Sequence, residues 1–312
     1  MNQPRNVAAS VRQRLLDLSR QRGEEFQGLL TRYALERLLY RLGESEYRDR
    51  FILKGAMLFS AWSNEPHRAT RDLDLLGFGD NSIAHLEQVF RDICCVQVEP
   101  DGLEFKDDTV SGQRIKEDQE YEGVRIELMA LLGVARIPIQ IDIGFGDALA
   151  NQPQELSKFP TMLDLPAPRV RTYPRETVVA EKFQAMVVLG IANSRMKDFY
   201  DLWFLCQKFE FEGEALSLAI KATFERRHTS VPHVPPLALT PEFSLDGAKQ
   251  AQWRAFLRKG KLKAEGLTLK EAIEVLDNFL MPPSRAVANG EPFGQVWPPT
   301  GLWQVSSTTI LW

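Results

Sequence analysis

The chain has 312 residues, 44% of them hydrophobic and 26% charged, a folded globular composition that excludes wholesale disorder. At roughly 150 residues per domain, the length predicts two domains or one with a large extension. A formal net charge of −4 excludes a generally basic nucleic-acid coat, so nucleic acid would have to meet a local basic patch.

The first 45 residues read as helix, with Val11, Leu15, Leu18, Leu29, Leu30, Tyr33 and Leu38 at helical spacings and a break at Gly23. Arginines interleaved with acids line the polar side, as on a solvated face. Phe51–Lys54 is a short apolar run, and the residues from Gly55 to Trp62 are helix-compatible. Arg71–Phe78 alternates as a strand, Ile83–Cys94 is an amphipathic helix, and Leu103–Phe105 and Arg114–Lys116 are short strands. Val124–Leu132 and Ile137–Gly144 form a hairpin through Gly133. Five prolines between Asn151 and Arg175 mark a loop or boundary. Thr177–Gly190, Asp198–Phe209, Ala215–Arg227 and Leu269–Phe279 are helices. The pattern is α/β (α+β): a mixed sheet flanked by helices over residues 1–170, a helical domain over 171–285, and a tail over 286–312.

Cys94, Cys95 and Cys206 contain no C-x-x-C and read as buried apolar side chains in a reducing compartment. His67, His85, His228 and His233 build no zinc pattern. Met1–Arg5 opens no signal peptide, and the longest apolar runs fall short of the roughly 20 residues of a membrane span. The expectation is a cytoplasmic monomer with no membrane partner.

Three carboxylates carry the chemistry. Asp72 and Asp74 lie two apart on a strand, so both leave the same face while Leu73 and Leu75 point into a core. In Ile137–Gly144, four isoleucines take one face and Gln140 and Asp142 the other. If the two strands are neighbours, the three aspartates converge. Two charges at 4 Å repel by about 4 kcal/mol at an effective dielectric near 20. Such a cluster calls for a divalent cation, and all-oxygen ligands favour Mg²⁺ or Mn²⁺ over zinc. D-x-D alone is equally a strand-end cap or turn pair. Gly55, after the apolar run, permits close backbone approach to a phosphate and raises the specificity of the pattern.

These residues resemble a known family. Lys54-Gly55-Ala56-Met57-Leu58 followed by Arg68-Ala-Thr70-Arg-Asp72-Leu-Asp74 is similar to the AbiEii/AbiGii toxins of the DNA polymerase beta-like nucleotidyltransferase superfamily, with the MenT toxins as close relatives. The likeness continues at Ile139–Asp147, Ala180–Ala185 and Arg195–Leu202. The chain departs where the family has Gly-Gly or Gly-Ser (here Gly55-Ala56) and where it has serine (here Thr70).

The resemblance implies a metal-dependent nucleotidyltransferase toxin of a type IV toxin–antitoxin system. It would take a nucleoside triphosphate with Mg²⁺ (or Mn²⁺) and have tRNA as acceptor and a cognate antitoxin as partner. Asp72, Asp74 and Asp142 would hold metal, and Gly55, Ala56 and Thr70 would line the nucleotide site. Lys182, by itself a solvated or snorkelling lysine, would contact the phosphates. Asp198, by itself a candidate N-cap with Asp201 supporting the first turn, would orient Lys182 or the substrate. Transfer to a small molecule or a protein, or a non-catalytic nucleotide-binding regulator, are the alternatives.

Arg254–Lys263 carries five positive charges and no acid, with Arg226, Arg227 and Lys249 elsewhere. It reads as a solvated face or as an RNA-tracking surface with Trp253 or Phe256 available to stack. The tail holds Trp297, Trp303 and Trp312.

Overall fold

In the computed structural model, the residues described are 6–63, 70–116, 122–147, 152–156, 159–260, 262, 264 and 266–305. The chain divides into two units, residues 1–147 with 153–173, and residues 148–152 with 174–312.

The first unit opens with α1 (Val7–Arg22), capped by Asn6 and stopped by Gly23 in a left-handed conformation at φ 64°. Then come α2 (Phe26–Glu44), β1 (Phe51–Lys54), α3 (Met57–Ser63), β2 (Asp72–Gly77), α4 (Ile83–Cys94), β3 (Leu103–Lys116), β4 (Glu122–Leu132), β5 (Ala135–Phe145), β6 (Gln154–Leu156) and β7 (Val170–Thr172). The seven strands form one mixed sheet in the order β3-β4-β5-β2-β1-β7-β6. β2 runs parallel to β5 and β1 to β7; the other pairs are antiparallel.

One face of this sheet is apolar. Ile137, Ile139, Ile141 and Ile143 are buried, as are Leu73 and Leu75, and α2 packs across β5. The same region holds a buried ion cluster. Asp101, 1% exposed, accepts from Arg37 Nε at 3.1 Å and from Arg41 at 2.6 and 3.2 Å.

Several sequence expectations are revised. Phe51–Lys54 is a central strand, too short to show a period of its own. Leu103–Phe105 and Arg114–Lys116 are ends of one strand, β3, whose pairing with β4 shifts between Lys106 and Ser111. The proline-rich segment contributes β6 and β7, two three-residue strands that contain no proline, with β6 at the sheet edge and β7 between it and β1. Cys94 and Cys206 are buried, but Cys95 is exposed.

The second unit contains α5 (Arg175–Leu189), α6 (Met196–Lys208), β8 (Phe211–Glu212), α7 (Gly213–Arg226), α8 (Pro241–Leu245), α9 (Gly247–Gly260), α10 (Leu269–Asn289), β9 (Gln295–Trp297) and β10 (Gln304–Val305). Thr268 and Glu271 close a capping box on α10, which passes through Pro282 and Pro283 rather than ending at Phe279. β8, β9 and β10 form a small antiparallel sheet. Trp297 is buried and donates to Cys206 O at 2.7 Å, while Trp303 donates to Phe279 O at 2.9 Å. Two of the three tail tryptophans are therefore packed; Trp312 lies outside the described residues. Among the described residues, no helix is long and apolar enough to cross a membrane.

Candidate active site

The parallel pairing of β2 and β5 puts Asp72 opposite Gln140 and Asp74 opposite Asp142. On the outer flanks, Lys54 of β1 pairs with Asp74, and Arg125 of β4 pairs with Asp142. Directly opposed residues share a face. Lys54, Asp74, Asp142 and Arg125 thus form a row across four strands, cation–anion–anion–cation, on the face away from the isoleucine core.

Asp72, Asp74 and Asp142 each offer a carboxylate oxygen, all within 4.8 Å of one another. Thr70, 8% exposed, donates from Oγ1 to Asp72 Oδ1 at 2.8 Å. Asp142 accepts two parallel bonds from Arg125, both at 2.8 Å, and these hold the guanidinium above its ordinary pKa. Lys54 donates to Asp147 at 3.2 Å, and Asp147 also accepts from the Tyr173 hydroxyl at 3.0 Å.

Gly55 sits at φ +73°, where a Cβ would lie 1.8 Å from Asp74 Oδ2. Only glycine lets the chain leaving β1 pass this close to the carboxylate. Ala56 follows, 5% exposed.

The donor set fits a hard divalent cation. It is oxygen-only and clustered, and a carboxylate has about four lone-pair sites, so Asp142 keeps two after binding Arg125. Asp72, Asp74 and Asp142 would hold the ion.

Lys182 and Asp198 meet in the second unit. Lys182 on α5 donates to Asp198 Oδ1 at 2.6 Å and pairs with Asp201 at 3.0 Å; Arg195 Nε lies 2.6 Å from Asp198 Oδ2. Both aspartates are fully buried. The N-cap reading of Asp198 is corrected: Arg195 holds the N-cap position of α6, and Asp198 lies inside the first turn. Its carboxylate is committed to the buried ion network instead.

The basic stretch is also revised. Trp253 is 1% exposed with its indole N–H on Leu267 O, and Phe256 packs against Tyr200 and Trp253. Trp253 is therefore not available to stack on a base. Lys249 is buried and donates to Asn193 O at 2.9 Å. Arg254, Arg258 and Lys259 are exposed along α9; Lys261 and Lys263 lie outside the described residues, as does Arg68.

Sequence reasoning missed Arg125, although a signal for it existed. With Leu132 paired to Ala135 across a two-residue turn, counting outward puts Arg125 opposite Asp142. Asp147 carried no comparable signal, because its partners Lys54 and Tyr173 are remote in sequence, whereas Arg195 stands three residues before Asp198 and could have been paired with it by helical spacing.

A mixed sheet bearing three clustered strand carboxylates is the framework of a nucleotidyltransferase. Residues 37–275 match the family described as nucleotidyl transferase AbiEii toxin of type IV toxin–antitoxin systems, and the chain belongs to that family. Among solved structures it is similar to JHP933 from Helicobacter pylori at 14% identity and a TM-score of 0.47, covering 85% of this chain and 94% of that one. A second H. pylori protein, provisionally described as a nucleotidyltransferase, gives 14% identity and a TM-score of 0.46, covering 85% and 96%. No curated protein matches.

Proposed function

We propose that this protein is a cytoplasmic, monomeric toxin that transfers a nucleotidyl group from a nucleoside triphosphate to the 3′ end of tRNA. The observation that carries the reading is the convergence of Asp72, Asp74 and Asp142, with carboxylate oxygens within 4.8 Å on one sheet face. Family membership supplies the triphosphate substrate and the antitoxin partner.

Asp72 and Asp74, with Asp142 as third carboxylate, would hold Mg²⁺ or Mn²⁺, which when bound neutralises charge on the triphosphate and polarises the reacting oxygens. Thr70 fixes the Asp72 carboxylate. Gly55 and Ala56 give the phosphates close access to backbone. Lys182 is held by Asp198 and Asp201 within the second unit, and the family resemblance gives it the role of a point charge for phosphates. The acceptor hydroxyl oxygen bonds to the α-phosphorus as the bond to the bridging oxygen breaks. Pyrophosphate leaves with that electron pair, and the hydroxyl proton passes to water.

The test is incubation of the protein with each labelled triphosphate, Mg²⁺ and total tRNA, beside Asp72→Ala. Transfer to RNA by the wild type and not by the variant is expected. Absence of both transfer and triphosphate binding in the wild type would refute the proposal. Transfer to protein or to a small acceptor instead would replace its acceptor.

A further inference from the structure

On the β4–β5 side of the aspartates lies a cleft of about 890 Å³. It shares Gln140 with the carboxylate site, where the Gln140 amide lies 3.3 and 3.4 Å from the two Asp142 oxygens. Arg71, next in sequence to Asp72, and Arg136 of β5 both line it, and both are exposed. Neither has an ion pair or side-chain hydrogen bond among the described residues. That sets them apart from their neighbours: Arg37 and Arg41 are held by Asp101, Arg91 by Glu87 and Arg125 by Asp142. Two acids line the cleft: Glu25 is committed to capping α2, where it accepts from the Gln27 and Gly28 N–H groups at 3.0 Å, and Glu127 stands exposed on β4 opposite Gln140.

We propose that this cleft seats the 3′-terminal segment of a single-stranded RNA acceptor, with Arg71 and Arg136 on its phosphodiesters. The inference rests on the nucleotidyl-transfer reading above. In-line displacement requires the attacking oxygen and the leaving pyrophosphate on opposite sides of the α-phosphorus. Gly55 and Ala56 follow β1, so a triphosphate cradled there lies on the β1 side of the aspartates. The hydroxyl must then enter from the β5 side, where the cleft reaches Gln140, whose amide lies against Asp142. The 3′-hydroxyl oxygen bonds to the α-phosphorus, pyrophosphate departs toward β1 with the bonding pair, and the proton goes to water.

The cleft is large for one small acceptor, near the upper end of the roughly 300–1,000 Å³ of ligand pockets. Two unpaired guanidinium forks suit phosphodiester oxygens in a way that an ordinary peptide backbone does not match. Met129 adds an apolar surface in the lining for a base.

The experiment uses the full chain and a fluorescent single-stranded RNA ending in a 3′-deoxynucleotide, which binds without reacting. Affinity is read by anisotropy across a salt titration. Each phosphate contact contributes about 0.7 to the slope of log K on log salt. R71Q/R136Q is expected to bind at least ~10-fold more weakly at ~100 mM salt and to lower the slope by ~1.4. R71K/R136K is expected to restore most of that slope. Mg²⁺-dependent triphosphate binding, followed separately by thermal shift, is expected to persist in R71Q/R136Q. Unchanged RNA affinity and slope in R71Q/R136Q would overturn the assignment. So would a wild-type chain that binds triphosphate but not the RNA, or one in which only a peptide acceptor competes for the cleft. A chain that binds RNA through these arginines yet transfers nothing to its 3′-hydroxyl form would overturn the transfer reading and leave the cleft standing.

Discussion

Replacing Gly55 with alanine isolates the geometry on which the site depends. The added Cβ would fall 1.8 Å from Asp74 Oδ2, 2.5 Å from Cγ and 2.7 Å from Cβ, at a backbone φ of +73°. Two costs follow. A left-handed non-glycine residue costs roughly 1–2 kcal/mol. The clash is with a side chain, so the fold survives while the Asp74 carboxylate is driven more than an ångström away. Relieving it off-rotamer adds about 1 kcal/mol. A misplacement of about 1 Å at a reacting centre costs on the order of 100-fold. We therefore expect G55A to lose ~2–3 kcal/mol in urea denaturation with chelator present and ~100-fold in transfer. The Mg²⁺-triphosphate thermal shift should collapse as well. In an Asp74→Ala background the clash has no partner, so the same substitution should cost only the ~1–2 kcal/mol of backbone strain. An equal cost in both backgrounds, with the thermal shift intact, would refute the coupling between Gly55 and Asp74.

Three further outcomes are expected. Arg125→Met leaves Asp142 uncompensated beside Asp74, where charges at 4 Å repel by about 4 kcal/mol at a dielectric near 20; partial exposure reduces this to ~1–3 kcal/mol. The loss should appear in chelator and be reversed by millimolar Mg²⁺, and a variant indifferent to Mg²⁺ would count against the cation site. Asp101→Asn strands the buried guanidiniums of Arg37 and Arg41 and should cost ~3–5 kcal/mol, read as a lower urea midpoint. Glu36 is pushed up from 4.5 to about 7 by burial, against the lowering effects of the Met162 N–H bond and the Arg37 and Arg32 charges. Between those values the unfolded chain has released the proton that the folded chain keeps, so stability falls as pH rises through the window. At about 1.4 kcal/mol per unit the total is ~3 kcal/mol. Glu36→Gln should match wild type near pH 5 and exceed it near pH 8, and a pH-independent difference would exclude the effect.

The aspartates were legible because a two-residue period assigns faces without any tertiary knowledge: Leu73 and Leu75 against Asp72 and Asp74, four isoleucines against Gln140 and Asp142. The hairpin through Gly133 was equally local. What joins the two halves was not. β1 is four residues long, and its place between β2 and β7 is set by pairing with segments remote in sequence. β6 and β7 hide among prolines because each is three residues long, too short for a two-residue period to show. Asp198 looked like a cap because local sequence cannot show that Lys182, on another helix, reaches its carboxylate. Trp253 looked available because an aromatic residue in a basic stretch gives no sign of which helix face is packed.

The row from Lys54 to Arg125 has a consequence for how the ion relates to folding. Its two central anions are flanked in register by two cations, of which Arg125 is bound to Asp142 and Lys54 also pairs with Asp147. These cations offset part of the repulsion among the aspartates that small metal-nucleated domains leave to the ion. A chelator is therefore expected to silence the proposed transfer reversibly while leaving the urea midpoint of the wild type in place. On the proposed function, a newly made chain would fold and meet its antitoxin before the ion and the triphosphate make it competent.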